Sequence, residues 1–107
     1  IEGIRCCENT GEKVANYAYF PILIGPNYPL NRDGLYQKLR EEGIFARRYF
    51  YPLISDFPMY SDLPSAQRNN LPVAASVADA VLCLPIYPAM TPKDQQRIIS
   101  VVRAGAT

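Results

Sequence analysis

The stretch from Gly43 to Leu53 constrains the rest of the chain more than any other. It follows a helical pattern, reads as a strand over 44–51, and stops at Pro52, which cannot donate to a ladder. Side chains alternate across a strand. One face therefore carries Phe45, Arg47, Tyr49 and Tyr51, and the other Ile44, Ala46, Arg48 and Phe50. A guanidinium beside aromatic rings on each face is unusual for a core strand. It points to a sheet covered on both sides, with one side meeting something polar.

At 107 residues the chain is one domain, long enough to bury roughly two-thirds of its unfolded surface. The formal net charge is +1, which argues against a nucleic-acid partner, because such surfaces need clustered basic residues. The longest apolar run, 71–90, is interrupted by Asp79, Pro72, Pro85 and Pro88, so it is no membrane span. The opening residues lack the apolar core of a signal peptide. A first residue of Ile1 fits a processed chain or a piece cut from a longer one.

Three cysteines, Cys6, Cys7 and Cys83, make an odd count with no CxxC pair. A reduced, cytoplasmic compartment is expected. The chain contains no histidine. That absence removes Ser-His-Asp triads, Cys-His dyads and most metal sites. Neither a dinucleotide-binding nor a P-loop glycine motif occurs.

The punctuation along the chain predicts β-α-β-loop-α-β-α. Residues 1–13 read as a connecting segment with a turn at Asn9-Thr10-Gly11, and Ile1 and Ile4 as the end of an upstream element. A strand is expected over 14–24, with Pro21 at an edge, bulge or non-bonded position. Asn31 caps a helix that runs to about Glu42, with Gly43 at the position just past its end. Residues 52–70 form a long surface loop with one helical turn. Pro72 opens a small-residue helix to Ala80, and 81–84 is a short buried strand. Thr91, Pro92 and Asp94 mark the start of a last helix, striped by Ile98, Val101 and Val102 and ended by Gly105. The expected fold is a two-layer α/β unit over 14–107, with about three mainly antiparallel strands and helices on one face.

Arg47 and Arg48 are the first candidates for chemistry. A guanidinium beside Tyr49 and Tyr51 can take a phosphate or carboxylate in a bidentate grip, with rings packing on a sugar or base. Equally, one arginine can pair with Glu41, Glu42, Asp56 or Asp62 while the other is simply exposed. Tyr17, Tyr19 and Phe20 read as core, with a ligand platform as the rarer alternative. Cys83 reads as an inert buried thiol. None of Lys13, Lys38 and Lys93 sits in the apolar setting that would fit it for Schiff-base work. No self-sufficient catalytic set is visible, and no metal site.

Several strings together resemble a known family: NYAYFPILI at 16–24, RDGLY at 32–36, GIFARRYFYPL at 43–53, LPVA at 71–74, VLCLPIYP at 81–88, and the helix after Thr91. In this order and spacing they resemble the C-terminal part of the DegT/DnrJ/EryC1/StrS sugar-nucleotide aminotransferases of fold type I. The ARRYFYP string resembles the branch acting at C4 of 4-keto-6-deoxy sugar nucleotides. The resemblance implies that a large N-terminal domain, absent here, holds pyridoxal phosphate on a lysine, and that this chain binds no cofactor and is inactive alone. It implies a homodimer with active sites between subunits, and a small domain that closes over the sugar-nucleotide pocket. Many relatives carry a histidine in the central strand, where this chain has Tyr49. On this resemblance the substrate-facing residues are Arg47, Tyr49 and Tyr51, with Arg48 in reserve. Tyr17, Tyr19, Tyr28, Phe57 and Met59 are then expected to pack on the large domain. A stand-alone binding module and a purely structural piece are the competing readings.

Overall fold

A computed structural model describes residues 1–8, 11 and 14–107. The turn read at Asn9-Thr10-Gly11 falls mostly outside the described residues, as does Lys13. The chain runs β1 (Ile4–Cys6), β2 (Phe20–Ile24), α1 (Arg32–Glu41), β3 (Arg47–Arg48), α2 (Pro72–Ala80), β4 (Val81–Leu84) and α3 (Pro92–Gly105). The four strands form one antiparallel sheet in the order β1-β2-β4-β3. The α/β class and antiparallel pairing follow the sequence reading. The fourth strand does not, since β1 lies within the segment read as a connector.

The two long helices start and stop where local chemistry dictates. Asn31 accepts from Gly34 N at 2.8 Å, which satisfies one free donor of α1. At the other end Gly43 takes a φ of 71°. Its N–H reaches Arg40 O, and the Ile44 N–H reaches Leu39 O at 2.8 Å. These two bonds close a Schellman motif, and Ile44 and Leu39 are both buried. For α3, Thr91 accepts from Asp94 N while the Asp94 carboxylate accepts from Thr91 N, so the capping box forms as expected. Those bonds hold the Asp94 carboxyl below the usual aspartate range.

The core lies between the sheet and one helical layer. Ile22, Ile24 and Leu82 from the strands meet Leu35 and Leu39 of α1 and Ile98 and Val102 of α3. Helix α1 packs on α3 and touches β4. Lys38 donates to Ala104 O, and Arg97 to Glu42 O, so each helix cross-ties the other's end. Helix α2 lies outside this layer. Its Val77 and Ala80 share a groove with Arg5 and Leu23, which alternation places on the face away from α1 and α3, so the helices do not all lie on one face as expected.

Other expectations need correction. The strand read over 14–24 begins only at Phe20, and Tyr17 takes a left-handed φ of 53°. Tyr17, Tyr19 and Phe20, read as core, are all exposed: Tyr17 and Tyr19 precede the strand and have no ladder partner, and Phe20 stands at its first position, opposite Leu84. Pro21, expected at an edge, bulge or non-bonded position, lies in the β4 ladder opposite Cys83, while the β1 ladder stops at Cys6 opposite Ile22, one residue short of it. Tyr28, expected on an outer surface, is buried. Its hydroxyl donates to Val102 O at 2.6 Å, and burial pushes its pKa up. A side chain at Gly3 or Gly105 would collide with Tyr28, so both glycines are required by its placement. The 52–70 loop holds three short 3-10 turns rather than one helical turn.

Candidate substrate-facing site

Strand β3 is two residues long. Arg47 lies opposite Cys83 and Arg48 opposite Leu82 on β4. Directly opposed residues share a face. Arg48 therefore points with Leu82 toward α1, and Arg47 points with Cys83 to the far side. The strand ends because Phe50 adopts a φ of 44°, a left-handed conformation that costs a bulky residue about 1–3 kcal/mol. Alternation fails beyond that point. Tyr51, expected beside Arg47, sits instead with Arg48.

On the helix side the guanidinium of Arg48 lies 4.5 Å from the Tyr36 ring centre and 4.9 Å from that of Tyr51. Its Nε is 3.3 Å from Asp33 Oδ1 but is not aligned to donate, so this contact is charge against charge. Arg48 thus has a carboxylate partner, and it is none of the four expected ones. A residue that the sequence reading passed over completes the group. Arg32 is buried, with 4% of its surface exposed. Its Nε donates to Asp33 Oδ1 at 2.8 Å, its Nη1 donates to Ala78 O at 2.7 Å, and its guanidinium lies 4.7 Å from the Tyr51 ring centre. It satisfies a carbonyl at the end of α2 that the helix itself cannot. A cation in the first turn of α1 opposes the helix dipole, and that conflict was the available signal.

On the opposite side Arg47 is exposed. Among the described residues its side chain has no ion-pair or hydrogen-bond partner. It lines a cleft of about 190 Å3 with Tyr19, Phe45, Cys83 and Tyr87. Tyr49 stands edge-on to Tyr19 at 5.1 Å and contacts Phe50 at 4.2 Å. The structure therefore divides the four expected residues. Arg47 lines an aromatic cleft whose wall residue Tyr19 meets Tyr49, and Arg48 and Tyr51 belong to a cluster in which Arg32 and Arg48 share the Asp33 carboxylate.

The cleft can bind but cannot by itself run acid–base chemistry. Burial raises the Cys83 thiol, and the nearby Arg47 only partly offsets this, so the group stays protonated near neutral pH. Asp79 and Asp94 are held low, Asp79 chiefly by Arg68 and Asp94 by Thr91, which is the wrong direction for a general base. What remains is a guanidinium without an ion-pair partner among the described residues, with ring walls, suited to an anion joined to a planar or sugar group.

Residues 1–103 match the DegT/DnrJ/EryC1/StrS aminotransferase family. The chain is 58% identical over 73 residues to a dTDP-4-amino-4,6-dideoxy-D-glucose transaminase of Escherichia coli, covering 68% of this chain and 20% of that protein. It is 39% identical over 103 residues to a transaminase of the same name from Shigella dysenteriae, covering 96% of this chain and 28% of that one. The chain thus spans about a fifth to just over a quarter of the length of these relatives. The fold matches the aminotransferase TlmJ from Streptoalloteichus hindustanus with a TM-score of 0.78 at 24% identity, over 98% of this chain and 26% of that one. It matches a DegT DnrJ EryC1 StrS aminotransferase from Brucella abortus with a TM-score of 0.76 at 25% identity, over 97% and 26% of the two chains. The chain belongs to the DegT/DnrJ/EryC1/StrS aminotransferase family.

Proposed function

We propose that the chain is the C-terminal small domain of a cytoplasmic sugar-nucleotide aminotransferase that transfers an amino group to C4 of a dTDP-linked 4-keto-6-deoxy hexose. The compact unit would include β1 as well as residues 14–107, because Ile4–Cys6 pairs with β2, and it would adjoin a large domain, with a second subunit completing the active site. The observation that carries the reading is the state of Arg47: a guanidinium in an aromatic cleft with no ion-pair partner among the described residues, in a chain 58% identical to a dTDP-4-amino-4,6-dideoxy-D-glucose transaminase over its matched part. Arg47 would hold the anionic part of the substrate and Tyr49 would pack beside it. Tyr51 and Arg48 would support the cleft from behind.

Pyridoxal phosphate, the family's cofactor, supplies an electron sink for moving the amino group. The described residues do not fit it. Lys38 already donates to Ala104 O, Lys93 is exposed in the first turn of α3, and neither lines the Arg47 cleft. We assign the cofactor to the large domain, as the family resemblance implies, and expect this chain alone to be inactive.

Full-length protein supplied with pyridoxal phosphate, glutamate and a dTDP-4-keto-6-deoxy hexose is expected to yield the 4-amino sugar nucleotide, read as a mass change. Recovery of unchanged keto sugar, from protein that binds the cofactor, would remove the reading.

A further inference from the structure

The segment 53–70 is weakly attached to the body of the domain. Ala66 is its only buried residue, while Ile54, Met59, Tyr60 and Leu63 are exposed. Its hydrogen bonds are mostly internal. Gln67 Nε2 donates to Ser61 O at 2.9 Å and to Leu63 O, and Asn70 Nδ2 donates to Ser65 O. Tyr60, Ser61, Leu63 and Ala66 give their N–H groups to carbonyls of the same segment.

Arg68 is placed differently. Its Nη2 lies 3.0 Å from Asp56 Oδ2, and its Nη1 lies 2.9 Å from Asp79 Oδ2. Two further contacts, Nε to Asp56 Oδ1 at 3.4 Å and Nη2 to Asp79 Oδ1 at 3.2 Å, complete a fork to each carboxylate. Asp56 lies near the start of the segment and Asp79 lies on α2. One guanidinium therefore clamps both ends of the segment together and fastens them to the fold. The three residues form one side of a cavity of about 410 Å3, whose other side carries Arg32, Asp33 and Tyr51.

We infer that Arg68 is a latch, and that residues 53–70 form a strap over the Tyr51 cavity that opens as a unit without the domain unfolding. Segments with few buried apolar contacts and their own hydrogen bonds open locally, at free energies below that of the whole fold. A planar guanidinium can serve two carboxylates at once, whereas an ammonium cannot reproduce both forks.

Hydrogen–deuterium exchange on the full-length protein tests this. Arg68→Ala is expected to speed exchange at Tyr60, Ser61, Leu63 and Ala66 by about tenfold or more while α1 and α3 keep their protection. Arg68→Lys should behave like the alanine variant. Asp56→Asn, which leaves the α2 link in place, gives a second route to the same local change. Unchanged exchange in the strap, an equal rise in α1 and α3, or full protection restored by Arg68→Lys would each overturn the latch.

Discussion

Replacing Arg32 with alanine is expected to destabilise the protein by about 3 kcal/mol, a large share of the 5–15 kcal/mol that holds a typical domain together. The cost has separate sources. Ala78 O at the end of α2 loses its charged donor, and a buried acceptor left without a partner costs about 1–3 kcal/mol. The buried arginine stem leaves a void beneath Tyr51, and Asp33 keeps only its longer contact with Arg48. Asp33 is more than half exposed, so water relieves the lost charge pair, and most of the effect comes from the carbonyl and the void. Urea unfolding followed by circular dichroism measures it. A change below about 1 kcal/mol would show that Arg32 is not the tie between α1 and α2. Lysine should recover only part of the loss, because it cannot fork between Asp33 and the α2 carbonyl while lying on a ring.

Leu82→Ala should cost about 2–5 kcal/mol, near the upper end of that range. Leu82 has no exposed surface. It sits on a strand flanked on both sides, opposite Ile22 of β2 and Arg48 of β3, with Leu35, Leu39 and Ile98 in the same cluster. Neighbours held by two ladders and two helices cannot move in to fill the space. Sites that cannot collapse show the larger costs. Chemical unfolding reports the value, and a loss under about 1 kcal/mol would mean that the β4 layer is looser than its burial implies.

Local chemistry made much of this fold legible. Thr91, Pro92 and Asp94 encode the start of α3 within four residues, and Gly43 encodes the end of α1 through the one conformation it adopts cheaply. The strands were less legible because pairing is decided elsewhere in the chain. Strand β1 is three residues of mixed character, and only the register with β2 makes it a strand. Tyr28 lies among residues that look like loop, yet a carbonyl 74 positions away buries it. The central stretch shows both outcomes. Arg47 and Arg48 do fall on opposite faces, as alternation requires. Tyr51 does not follow, because nothing in the letters of Phe50 announces a left-handed φ. Asp33 as the partner of Arg48 was likewise out of reach, since only the fold brings the start of α1 to β3.

The division between the two arginines is the centre of this account, and paired kinetics and melting on full-length Arg47→Ala and Arg48→Ala enzymes test it most directly. Arg47→Ala is expected to lower kcat/KM for the sugar nucleotide about a hundredfold, as loss of a charged contact to substrate does, with an unchanged melting temperature. Arg48→Ala should instead lower the melting temperature, because it removes the stack on Tyr36 and Tyr51. Normal turnover by Arg47→Ala, or activity lost only in step with stability, would contradict the assignment of the aromatic cleft to the substrate.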